Sequence, residues 1–232
     1  VFMKNTRIRT LCECAILLAL SVVLSYIKFD VLPFGGSITL FSMLPIVIVG
    51  FMYGTKWGLL TALTGSLLQM LLGATMSQAF AGLEGINVVY MAVLDYIVAF
   101  TVLGLGGIFK NSVKNQYVAL LLGAFVAVFL RYIAHFASGA ILWGDYAEWF
   151  FSDPEAFCSF APALSKSIMD NFSGNGLACI YSAIYNGCYM IPEMIITCIG
   201  AVAVYATKPL RKIIGINATS LQGLVRKLLQ LL

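Results

Sequence analysis

The sequence predicts an all-α integral membrane protein of six transmembrane helices, with both termini cytoplasmic and long outer loops after helices three and five. Composition is the first ground: of 232 residues, 61% are hydrophobic and 10% charged, where a soluble domain carries about 25% charged residues. One soluble core could not bury so much apolar surface. The second ground is a recurrence of apolar stretches near the roughly 20 residues that cross a bilayer. The third is the confinement of basic residues to alternate ends of those stretches. Disordered, collagen-like, coiled-coil and disulfide-scaffold chains are excluded by the same composition. The net charge of +4 implies no nucleic-acid partner, because its meaning depends on where the charges sit.

In chain order, Val1 and Phe2 precede Met3, which reads as the native start. The first apolar stretch is read as a span, being too long for a cleavable signal and lacking its small-residue cleavage site. The spans are expected at 8–28, 38–53, 57–73, 87–109, 117–143 and 180–207. The second and third are short, with a tight turn at Gly54 and Lys56 between them. Residues Lys110 to Asn115 turn the chain between the fourth and fifth. Residues 1–215 form a single membrane domain. The tail 216–232 sets Leu221, Leu224, Val225, Leu228 and Leu232 on one helical face, which suits an interfacial helix or equally a mobile end.

Charge gives the orientation. Lys4, Arg7, Arg9, Lys56, Lys110, Lys114, Lys208, Arg211, Lys212, Arg226 and Lys227 share one side, with no acid among them. The opposite side carries Lys28 and Lys166 against Asp30, Glu84, Asp145, Glu148, Asp153, Glu155 and Asp170. The basic side is cytoplasmic, and the acidic outer side would attract cations. The outer segments 74–86 and 144–179 are long, and length in a connection points to function or disorder. Segment 144–179 is also rich in aromatics, including Tyr146, Trp149, Phe150 and Phe157. These suit either an interfacial belt or a lid over an outward pocket.

Five ionisable residues fall within spans: Glu13, Asp95, Arg131, His135 and Glu193. Each is a candidate for function, because charge in the bilayer is costly. Glu13, near the start of helix one and close to water, reads as structural. Asp95, Arg131 and Glu193 each lie 14 residues from the cytoplasmic end of their span, about 21 Å deep at 1.5 Å per residue. His135 is one turn beyond Arg131 on the same face. An arginine at that depth needs an acid partner. Arg131 is expected to pair with Asp95, Glu193 or both, with Glu193 as the main structural partner and Asp95 left freer for a ligand. Asn186, Tyr189 and Glu193 share one face of helix six, and Tyr181 stands at its outer mouth. Aromatics with one carboxylate, one His and one Asn suit a small, flat, nitrogen-rich cation.

Other chemistries find no footing. There is no phosphate-cradling glycine loop, so the chain does not energise transport itself. Hydrolase and metalloprotease motifs are lacking. One His with scattered Cys and Asp offers no metal site, and no cofactor is implied. Cys12 and Cys14 read as helix packing. Cys158 and Cys179 share the outer side, where a disulfide is chemically allowed.

Several stretches taken in order resemble the thiamine-specific S components of energy-coupling factor (ECF) vitamin transporters. They are Pro33-Phe-Gly-Gly-Ser-Ile-Thr-Leu with Met43-Leu-Pro45, Leu94-Asp95-Tyr96, and Arg131-Tyr-Ile-Ala-His135-Phe-Ala-Ser-Gly139. Trp143-Gly-Asp-Tyr146-Ala and Tyr181-Ser-Ala-Ile-Tyr-Asn186 complete the set, and the likeness covers about 5–212. The resemblance implies six helices, an outward-facing thiamine pocket, and residence in the bilayer of a bacterial cell membrane. It also implies partners: a transmembrane T component with two ATPase subunits.

Carried onto this chain, the resemblance implies a pocket of Asp95, Tyr96, His135, Trp143, Tyr146, Tyr181 and Asn186. Trp143 would stack on a thiamine ring, while Asp95 and His135 would meet its polar and charged parts. Ala15 and Ala19 match a small-residue motif that docks the T component; ordinary internal packing is the other reading of that pair. Should the docking surface lie elsewhere, Gly50, Gly54 and Gly58 form the next small-residue stripe. The chain departs from the pattern at Gly35-Gly36, where some relatives carry a Trp, and at Glu148 or Trp149, where a second loop Trp aligns ambiguously. Segment 152–178 is longer than usual. The alternatives are an S component for another vitamin, such as riboflavin, and a small membrane enzyme using Asp95 and His135 as acid and base.

Overall fold

Long apolar runs fold as helices in the computed structural model, which describes residues 6–30, 36–76 and 80–213. The membrane-length helices are α1 (Thr6–Ser25), α3 (Thr55–Met76), α4 (Ile86–Gly107), α5 (Gln116–Leu142) and α8 (Gly174–Ala206). A sixth apolar helix, α2 (Leu44–Tyr53), has ten residues, about 15 Å of rise. Among the described residues the architecture is therefore five spanning-length helices and one short one.

The span expected at 38–53 is thus corrected. Its first part is a strand and a turn. Strand β1 (Lys28–Asp30) pairs antiparallel with β2 (Ser37–Thr39) in the register Lys28↔Thr39, Phe29↔Ile38. Phe41 then takes φ 60, a conformation that no helix continues. Pro45 in the first turn of α2 fixes where the helix restarts.

The outer segment 144–179 is also more ordered than a loop. It contains α6 (Ala147–Ser152) and α7 (Pro162–Asn171), and α8 begins at Gly174, six residues before the expected start of the last span. A short basic helix, α9 (Lys208–Ile213), follows α8. Cys158 and Cys179 are both free thiols. The tail 216–232 and Gly35 lie outside the described residues.

The core sits where α2, α3, α4 and α5 meet, filled by Met43, Val47, Phe51, Leu103, Leu120 and Val128. Two contacts there are backbone on backbone. A Cβ on Gly104 would collide with the carbonyl of Gly58, and one on Gly123 with that of Gly106. Small residues let helices close to this distance, which maximises dispersion contact where no hydrophobic force separates helix from lipid. Of the fallback docking stripe, Gly50 and Gly58 are consumed by this seam, while Gly54, at the turn between α2 and α3, has open space beside it. At its end Lys110 donates to the Met52 carbonyl (3.2 Å) and lies 5.1 Å over the Phe51 ring. Burial there lowers the Lys110 pKa from its ordinary value.

Helices α5 and α8 pack along most of their length. Side chain to backbone bonds fix their register: Tyr132 OH donates to the Ala183 carbonyl (3.0 Å), and Ser182 Oγ to that of Phe136 (2.7 Å). This pairing brings the polar residues of both helices to a common level.

Candidate functional site

Helix α4 is irregular where its carboxylate lies. Residues Met91–Val98 wind as a π-helix and Val102–Gly107 as a 3-10 helix. A π-turn widens the backbone and re-aims its side chains, and such turns concentrate at functional sites. Asp95 is in the middle of the π segment. Its Oδ1 lies 2.7 Å from His135 Nδ1, and Ser138 Oγ donates to its Oδ2 at 2.5 Å. His135 and Ser138 are three residues apart on α5, so one helix face presents both to the carboxylate. The Asp95 and His135 side chains are 14% and 11% exposed, which leaves the pair reachable.

Above this polar floor lies an aromatic layer. Tyr181 packs edge-on to Phe150 at 5.2 Å and lies 5.5 Å from Tyr185. Trp143 and Tyr146 are 6.0 Å apart at the end of α5, and Trp143 joins the same cluster as Tyr181 and Phe151. Trp149 Nε1 donates to Asp153 Oδ2 at 2.9 Å, a local bond at the C-terminal end of α6.

A family profile described as thiamine transporter protein matches residues 11–152. The thiamine transporter ThiT of Bacillus subtilis (strain 168) is 32% identical over 217 residues, covering 89% of this chain and 95% of that protein. The chain belongs to the thiamine transporter protein family. A solved structure of ThiT from Listeria monocytogenes shares the fold, with a TM-score of 0.62 and 22% identity over 89% of this chain and 98% of that one. Membership places this protein among multi-pass membrane transporters and removes the enzyme reading of Asp95 and His135.

The site differs from its sequence expectation at several residues of this family member. Arg131 forms no ion pair with Glu193. Its Nε donates to His135 Nε2 at 3.2 Å, and its guanidinium lies 4.1 Å over the Phe100 ring. Glu193, 3% exposed, instead accepts from the Thr39 backbone N–H (2.7 Å) and from Thr39 Oγ1. Depth in the bilayer matched the two residues, but the hairpin reaches Glu193 first. A chain of hydroxyls continues from there: Thr39 Oγ1 meets Ser42 Oγ, and Ser21 Oγ of α1 donates to the Ser42 carbonyl at 2.6 Å.

Asn186 is engaged on both ends of its amide. Nδ2 donates to the His135 carbonyl (3.2 Å) and to Ser182 (2.9 and 3.1 Å), while Oδ1 accepts from Tyr189 OH (2.6 Å). It stands beside the floor as a strut between α5 and α8. Tyr96 faces away from His135, toward α3: its ring stacks between Phe80 (5.5 Å) and Phe100 (6.3 Å), with its hydroxyl against Gly73.

The sequence reading did not single out Ser138, Thr39 or Tyr185. Ser138 had a signal, its three-residue spacing from His135. A cleft with about 340 Å³ of empty space, part of it open to the surroundings, lies elsewhere, between α1, α2, α3 and α4. Arg131 is the one sequence-selected site residue on its lining.

Ala15 and Ala19 are exposed on α1 beside Leu11, Ile16 and Leu20, while Cys14, Leu17 and Leu18 face the bundle. Internal packing of the two alanines is thereby excluded. Glu13 is held by Arg9 on the same helix at 2.7 Å.

Proposed function

We propose that this chain is the thiamine-binding S component of an ECF-type transporter, which captures thiamine from outside and passes it on with a T component and two ATPase subunits. The observation that carries the reading is the Asp95–His135–Ser138 floor beneath the Trp143, Tyr146 and Tyr181 aromatic layer, in a chain of this family. Thiamine is a permanent cation with two flat rings. Aromatic faces attract the charge and stack on the rings. The Asp95 carboxylate, with its remaining lone pairs, supplies the counter-charge and accepts amine protons. Tyr96 and Asn186 act behind this surface, the first by bracing α4 against α3 and the second by fixing His135 through its carbonyl.

Affinity follows from pre-organisation. Each polar side chain of the floor already has a partner, so little ordering is left to do on binding. The exposed Ala15–Ala19 face is the surface on which a T-component helix would dock, because small residues permit close approach in lipid. The reading is tested by calorimetry and tryptophan fluorescence on the purified protein. Thiamine is expected to bind and quench, with Trp143 next to the ligand. Binding of riboflavin with no binding of thiamine would overturn the reading.

A further inference from the structure

The bonds around His135 settle more than proximity. A guanidinium Nε–H can only donate, so His135 Nε2, 3.2 Å from Arg131 Nε, must present its lone pair. A carboxylate can only accept, so His135 Nδ1, 2.7 Å from Asp95 Oδ1, must carry the hydrogen. Both ring nitrogens are therefore assigned by their partners, and the imidazole is neutral. The other neighbours leave this intact: Tyr189 meets the ring edge-on at 6.1 Å, and Asn186 bonds the backbone carbonyl of His135 and not its ring.

We infer that Arg131 is a positioning residue of the thiamine site: through its Nε it holds His135 as the neutral Nδ1–H tautomer, aimed at Asp95. The inference rests on the proposed function for its link to thiamine. Phe100 makes the arrangement firm, since the guanidinium is seated on its ring at 4.1 Å and so keeps its charge on the side of His135 away from Asp95. The imidazole passes the pull of Arg131 to the carboxylate without becoming a second cation in the pocket. An imidazolium at this point would repel a cationic ligand, and an Nε2–H tautomer would turn a lone pair toward Asp95.

The chain contains one histidine, so nitrogen-15 labelling of histidine reports this ring alone. In the intact protein without ligand, one protonated and one bare ring nitrogen are expected, with the proton on Nδ1. Arg131→Met is expected to lose that pattern and to bind thiamine at least about tenfold more weakly, the loss of one hydrogen bond to a charged group. Arg131→Lys, which keeps a cationic donor, is expected to retain the pattern and most of the affinity. A wild-type spectrum with both nitrogens protonated, or with the proton on Nε2, overturns the inference. So does Arg131→Met with wild-type affinity or an unchanged pattern. If Arg131→Met does not fold, the wild-type and Arg131→Lys spectra still decide. Absence of thiamine binding by the wild type would instead overturn the proposed function, and the ligand-free spectrum would stand apart from it.

Discussion

Replacing Asp95 by Asn removes one charge and leaves the shape. In the folded protein both carboxylate oxygens accept hydrogens, from His135 Nδ1 and Ser138 Oγ. The Asn oxygen can keep the bond to His135, and the Ser138 hydroxyl can rotate to accept from the new amide. The floor thus remains bonded, and the loss falls on the charge. A ring cation 4 Å from the carboxylate at an effective dielectric of 20 would lose about 4 kcal/mol of attraction. Mutational series on hydrogen bonds to charged groups set the realised figure nearer 1.5–3 kcal/mol, or roughly 10- to 150-fold in Kd. Calorimetry with thiamine and with an analogue whose thiazolium is replaced by a neutral ring of the same shape separates charge from shape. Thiamine is expected to lose affinity for Asp95→Asn by this factor, and the neutral analogue by much less. Equal losses for the two ligands, or no loss for thiamine, would refute the assignment of Asp95 as counter-charge.

Trp143→Ala is expected to weaken thiamine binding by about 0.5–2 kcal/mol, the range of an aromatic–cation contact, and to remove most of the fluorescence quenching on titration. Replacing Ala15 and Ala19 together by Trp is expected to leave binding to the purified protein unchanged while stopping uptake by cells, because bulk on the exposed face of α1 keeps a partner helix at a distance. Glu193→Ala leaves the Thr39 N–H and hydroxyl without their acceptor and is expected to cost about 1–3 kcal/mol in an unfolding titration in detergent. Glu193→Gln, which keeps an acceptor oxygen, is expected to recover a large part of that.

Depth along a helix was legible in the sequence, and direction around it was not. Counting from the span ends set Asp95 and Arg131 at one level with His135 one turn beyond, and the structure brings Asp95 and His135 into contact. The same count matched Arg131 to Glu193, which face different neighbours. The azimuth of Asp95 depends on the π segment at Met91–Val98, and an extra residue in one turn has no signature in hydropathy. Glu193 was misassigned because its partner Thr39 lay in a stretch whose composition reads as membrane span. Ser37 just before that stretch, with Thr39 and Pro45 inside it, were the available marks of a hairpin followed by a fresh helix start. The outer helix Pro162–Asn171 was legible in part: a Pro at the first helical position followed by a mixed apolar and polar run is a start signal.

The length of α8 has a consequence for what surrounds its outer end. Its 33 residues rise about 50 Å, whereas the hydrocarbon layer is about 30 Å thick. Its C-terminal end is followed by the exposed Lys208 and Lys212, basic residues of the kind that mark the cytoplasmic boundary, so the surplus projects from the other surface. That projecting part bears Leu177, Tyr181 and Tyr185, wrapped by Phe150, Phe151 and Ile168. Phe150, Phe151 and Tyr181 are almost wholly buried there, so the part of the helix beyond the hydrocarbon carries an apolar core of its own, apart from the one between the spanning helices.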